Sequence, residues 1–257
     1  MPDPHVVSLR YKLEHSESVT FNNPPPVELE TEEARLRLKD GFLSCELKTH
    51  YGSEAEARAA IEPVLRAWEL EASIRGNLYG LRFKFEKAEI IDRTPIIPGK
   101  PQTFIHVGGV SAVVITESAT VQVGWAKYPD PPLTFRVTLD VESLWFRYKA
   151  YVDGREPLLA MGYFCFSLLK AITGGSLKTM ARNLRTDEEV LRTLSKLTSI
   201  RGDRTTARKV VQLTMQPLAP TEAIWISTVL KELILRLGDT RPINSLKKIT
   251  MADFPKL

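Results

Sequence analysis

Residues 134–154, TFRVTLDVESLWFRYKAYVDG, hold the change of period on which the fold turns. Residues 134–139 are rich in β-branched side chains, which predicts a strand. Beyond them Val141, Leu144, Trp145 and Tyr148 recur on one helix face, with Asp140 as the cap and Gly154 near the end. Before Asp140 the chain reads as strands interrupted by one helix, and after it the period stays helical. The expected fold class is therefore α+β: an N-terminal antiparallel sheet or open barrel with one helix, followed by a C-terminal all-α bundle. The expected organisation is a strand-rich domain over 1–139, a helical bundle over 140–238, and a tail or strap over 239–257, where prolines and lysines mix without period.

Toward the N-terminus, Val7, Leu9, Tyr11 and Leu13 alternate with polar neighbours as in a half-buried strand. The clearest hairpin follows, with Leu36 and Leu38 before Asp40-Gly41 and Leu43, Cys45 and Leu47 after it; Asp-Gly supplies the positive φ of a tight turn. Ser53 and Glu56 form a capping box, and Ile61, Val64, Leu65, Trp68 and Ala72 then recur at helical spacing, predicting a helix over about 54–74 that Pro63 kinks or splits. Leu81, Phe83 and Phe85 mark another strand. Further strands are expected over 110–115 and 120–125, after an irregular proline-containing loop over 94–102.

Toward the C-terminus, residues 156–173 are apolar nearly all round, the mark of a helix at the centre of a bundle. Gly174-Gly175 ends it. A short helix is expected over 176–184, and a capping box of Thr186 and Glu189 opens the next, with Val190, Leu191, Leu194 and Leu197 inside. Pro220-Thr221-Glu222 starts a last helix whose apolar positions are Ile224, Trp225, Val229, Leu233 and Leu237, closed by Gly238.

With 257 residues, 43% apolar and 26% charged, the chain can bury a substantial core. Its two cysteines, Cys45 and Cys165, cannot build a disulfide framework or a thiolate zinc site of the usual spacing. The first residues lack the basic and apolar regions of a signal peptide, and the charge-free stretch 157–169 is too short to span a bilayer. The expectation is a cytoplasmic protein with no membrane partner.

Chemical motifs are incomplete. Gly174-Gly175-Ser176-Leu177-Lys178-Thr179 has leucine where a phosphate loop needs its last glycine, and Gly108-Gly109-Val110-Ser111-Ala112 lacks the closing glycine of a nucleophile elbow. The histidines, His5, His15, His50 and His106, show no helical ligand spacing; Cys45 with His50 is the nearest pairing and falls short of a zinc site. Asp153, Glu156, Asp187 and Asp203 read as caps or loop residues, not general bases. No cofactor and no metal are expected, and a binding role is expected ahead of catalysis.

Charge is the informative feature. Residues 1–139 carry 16 Lys/Arg against 19 Asp/Glu, residues 140–257 carry 19 against 12, and within 170–209 ten basic residues meet four acidic ones. Lys178, Arg182 and Arg185 fall at helical spacing opposite Leu177, Met180, Ala181 and Leu184, and Arg192 with Lys196 repeats the pattern on the next helix. The loop that follows holds Arg201, Arg204, Arg208 and Lys209. Such a surface suits the phosphates of RNA or DNA, or an acidic protein. The competing reading is an internal network of Arg201 and Arg208 with Asp203 or other carboxylates, in which case the protein is structural or homo-oligomeric.

Two resemblances rest on these residues. The stretch 180–194 is similar to a helix-turn-helix, with Ala181, Leu184, Thr186, Leu191 and Leu194 at its small and apolar positions; it has Arg185 where the turn usually carries glycine, and three acids, Asp187 to Glu189, open the second helix. The stretch 156–238 resembles the helical part of uncharacterised prokaryotic proteins and, distantly, the HEPN-type bundles of toxin and defence ribonucleases. Those ribonucleases carry an arginine followed by a histidine. Arg201 or Arg204 matches the arginine, Ala207-Arg208-Lys209 offers no histidine, and the resemblance therefore implies a non-catalytic bundle for dimerisation or binding.

Overall fold

The computed structural model describes residues 3–17, 19–76, 79–94, 123–202 and 216–257. The expected strand at 110–115, the Gly108-Gly109 motif, and Asp203, Arg204, Arg208 and Lys209 lie outside them. The chain forms two compact units, 1–133 and 134–257.

The first unit is built on a five-stranded sheet in the order β3-β4-β5-β1-β6, every neighbour antiparallel. Its strands are β1 (Pro4–Glu14), β3 (Val27–Glu30), β4 (Ala34–Lys39), β5 (Phe42–Leu47) and β6 (Arg82–Asp92), while β2 (Val19–Phe21) pairs in parallel with β7 (Val123–Trp125). The Asp40-Gly41 turn has φ of 52° and 77°, the left-handed pair that a two-residue hairpin needs. Alternation then sends Leu36, Leu38, Leu43 and Cys45 inward, against Ile61, Leu65 and Trp68 of helix α1 (Glu54–Gly76). On β1 the expected phase holds for Leu9, Tyr11 and Leu13 but not for Val7. A register shift against β6 between Val6 and Ser8 takes up one residue, so Val6 is buried in its place.

Helix α1 is not split at Pro63. Interior proline costs about 3 kcal/mol. Ile61, Leu65 and Trp68 are buried on either side of it, each worth roughly 1.5–3 kcal/mol, so tertiary burial holds the helix together.

Among the described residues, the main elements of the second unit are five helices: α2 (Leu139–Val152), α3 (Leu158–Ile172), α4 (Leu177–Asn183), α5 (Glu188–Ile200) and α6 (Pro220–Gly238). The predicted strand over 134–139 is absent. Phe135 makes a single bridge to Asp239, and Thr138 is the N-cap of α2, its hydroxyl accepting from the Val141 amide at 3.2 Å. Asp140, expected as the cap, sits in the first turn, where its charge suits the helix's positive end. Helix α3 packs against α2, α4, α5 and α6, as its all-round apolar sequence implies. Gly162 is what lets α5 and α6 close on it, because a β-carbon there would lie 2.9 Å from Thr198 Cγ2. Gly238 serves close approach too: its β-carbon would meet the Phe135 ring at 2.2 Å. Ile224 points outward at 58% exposure, and α6 buries Trp225, Ile226, Val229 and Leu233 in the core.

Gly174 and Gly175, both at positive φ, turn the chain by 82° from α3 into α4, whose N-cap Ser176 forms a capping box with Thr179. The next cap differs from expectation. Asp187, not Thr186, is the N-cap of α5; Thr186 is buried and its hydroxyl donates back to the Leu184 carbonyl at 3.1 Å. The C-terminal residues pair with the backbone on either side of Thr186. Residues 239–257 form a strap that buries Leu246, Ile249 and Phe254, with two 3-10 turns (Ile243–Ser245 and Met251–Asp253). Ile249 bridges Thr186: its carbonyl accepts from the Asp187 amide and its amide donates to the Arg185 carbonyl, each at 2.8 Å.

Candidate functional site

Helix α4 presents two faces. Met180 and Ala181 are buried, with Leu184 just beyond the helix, and Lys178 and Arg182 point to solvent. Arg185 follows in the turn into α5, also exposed, at φ 51°. That left-handed backbone is the conformation for which a turn of this kind usually selects glycine. A long cationic side chain therefore stands where the backbone favours none.

Charge pairing distinguishes these residues from their neighbours. Among the described residues, neither Lys178, Arg182 nor Arg185 has an ion pair, and Arg182 reaches only the side-chain oxygen of adjacent Asn183, at 3.4 Å. Arg192 is exposed and paired with Glu188 one turn earlier, at 3.0 Å. Lys196 is exposed and has no ion pair among the described residues. Arg201 is different in kind: its Nε and Nη2 lie 3.0 and 2.8 Å from Glu222 Oε1, and its Nη1 meets Gln216. Glu222 is 13% exposed and its other oxygen accepts from the Ala219 amide at 2.9 Å, capping α6. So Arg201 belongs to an internal network through Glu222, one of the other carboxylates that the competing reading allows; Asp203 lies outside the described residues.

The patch continues into a concavity that sequence alone does not reveal. A cleft of about 430 Å³ lies between α4, the turn and the strap, lined by Lys178, Arg182 and Arg185 on one side and Asn244 and Lys248 on the other. Asp187 and Glu188 complete its rim. Asp187 pairs with Lys248, and Glu188 with Arg192, so both acids already have cationic partners. Lys248 carried no sequence signal because it reaches the site only through the strap's bridge to Thr186.

No known family, curated protein or solved structure matches this chain.

The remaining candidates for chemistry do not assemble. Cys45 and Cys165 are buried, and desolvation pushes both thiols up to about 12, which keeps them un-ionised. Cys45 does not meet His50. The His50 imidazole faces His5 instead, Nδ1 to Nδ1 at 3.0 Å with nearly parallel rings, so one ring donates and the other accepts. Burial, with Arg93 and His50 nearby, lowers the His5 pKa. Asp153 is held below the usual carboxylate range by Lys149 and Arg155, and Glu156 pairs with Arg147. Gly174-Gly175 serves as a helix stop. Among the described residues no group of three or more His, Cys, Asp or Glu side chains is placed to hold a metal ion, and no single helix is long and apolar enough to cross a membrane.

Proposed function

We propose that the helical unit binds nucleic acid through its phosphate backbone, using Lys178, Arg182 and Arg185 as the principal contacts, with Arg192 and Lys196 extending the surface along α5. The observation that carries the reading is the convergence of three exposed cations, without ion pairs among the described residues, on one corner of the bundle. Guanidinium forks match phosphate oxygens in pairs, and each phosphate neutralised releases counterions from the strand. Asp187, Glu188 and Glu189 at the start of α5 oppose insertion of that helix end into a groove. The proposed contact is therefore with backbone, and sequence preference is expected to be weak.

The test is a salt titration of short single-stranded RNA binding. A variant carrying Lys178→Ala, Arg182→Ala and Arg185→Gly is expected to flatten the dependence of log K on log salt by about 2, near 0.7 for each phosphate no longer neutralised. Unchanged affinity and slope in this variant would refute the reading. Equal binding of polyglutamate and RNA would move it to an acidic protein partner.

A further inference from the structure

A flat basic patch is enough to hold a strand by its backbone, but this surface is hollowed. The cleft between α4 and the C-terminal strap gathers Lys178, Arg182 and Arg185 on one wall and Asn244 with Lys248 on the other. Four cations stand against two rim acids, Asp187 and Glu188, which leaves a formal excess of two positive charges around about 430 Å³. An internal phosphodiester brings one negative charge and needs an exit on both sides. A terminal phosphomonoester brings close to two charges and three terminal oxygens, and it needs only one exit.

We infer that the cleft receives the terminal phosphate of a bound strand, held between the α4 cations and Lys248 of the strap. The inference rests on the nucleic-acid reading above and adds the part of the ligand that the cleft selects. Lys248 is turned toward Asp187. A phosphomonoester in the cleft competes with that carboxylate for the ammonium, so occupancy ties the strap to α4 through the ligand. The pair it loosens joins an exposed Lys248, at 54%, to a half-buried Asp187, at 34%, and pairs this open to solvent contribute little to stability. Lys248→Ala therefore removes one cleft wall without unfolding the unit.

The experiment compares internally labelled single-stranded RNAs of identical sequence that end in 5′-phosphate, 3′-phosphate or hydroxyls only, by fluorescence anisotropy, with the full chain and with Lys248→Ala. One phosphate-ended form is expected to bind the full chain about tenfold more tightly than the hydroxyl-ended form, the worth of one set of charge-assisted hydrogen bonds. Lys248→Ala is expected to erase that preference while keeping most of the salt-dependent backbone affinity. Equal, salt-sensitive binding of all three RNAs overturns the end-phosphate inference and leaves backbone binding standing. Binding of none of them removes both. A nucleoside monophosphate that displaces the phosphate-ended RNA at equal concentration overturns strand-end recognition in favour of a free nucleotide.

Discussion

The two ends of α5 carry arginines of opposite fate. Arg185, in the turn before the helix, is exposed, sits on a left-handed backbone and has no ion pair among the described residues. Arg201, just after the helix, is 26% exposed and fastened to Glu222. Residue type does not distinguish them, since both are arginines beside the same amphipathic helix. What differs is the element that arrives from elsewhere in the chain. At the C-terminal end α6 brings a carboxylate; at the N-terminal end the strap brings Lys248, another cation. A basic stretch becomes a ligand surface or an internal brace according to which distant side chain meets it.

Glu222 is where the contrast is most vulnerable. Glu222→Ala removes the Arg201 partner and the acceptor for the Ala219 amide together, and is expected to cost about 2–3 kcal/mol, read as a lower urea midpoint. A loss below about 0.5 kcal/mol, the level of an ordinary surface change, would mean that Arg201 is no brace. The reverse effect is expected at the other end. Arg185→Gly relieves the left-handed strain and should raise stability by roughly 0.5–1 kcal/mol while weakening RNA binding, a variant that folds better and functions worse. Arg192→Ala, which loses only an exposed pair one helical turn away, is expected to change stability by less than about 0.5 kcal/mol.

Acid titration should leave both ends of α5 alone. Residues 140–257 contain no histidine, so both arginine environments should persist from pH 7 to pH 5. The sheet unit responds, because the His5 pKa is lowered by burial and by Arg93 and His50 beside it, with Asp3 opposing them. The unfolded chain then binds the proton more readily than the folded one, so stability is full above about pH 6.5 and falls as pH drops through the lowered value. Urea midpoints at the two pH values should differ for the natural chain and differ less for His5→Gln. An equal drop in both would show that protonation of His5 is not the cause.

Local signals were legible in the sequence wherever local chemistry decides. Asp40-Gly41 announced its hairpin, the all-apolar run its central helix, and Gly174-Gly175 its stop, because each acts within a few residues. The alternation of Lys178, Arg182 and Arg185 against Met180, Ala181 and Leu184 was likewise readable as one solvent face. Non-local choices were not. Residues 134–139 have strand composition, yet Thr138 finds the Val141 amide and starts a helix. Pro63 breaks helices in isolation, and burial around it prevails. Thr186 has the sequence setting of a cap, but the strap pairs with the backbone on either side of it. The Arg201–Glu222 pair spans 21 residues and Lys248 comes from the end of the chain, so no spacing rule points to either.

Arg185 and Arg201 should differ in their response to phosphate, and the salt dependence of RNA affinity in two single variants measures that difference. Arg185→Gly is expected to flatten the log–log slope by about 0.7 despite its higher stability, whereas Arg201→Ala, judged below its unfolding transition, keeps the slope of the natural chain. An unchanged slope in Arg185→Gly, or an equal loss in Arg201→Ala, would contradict it.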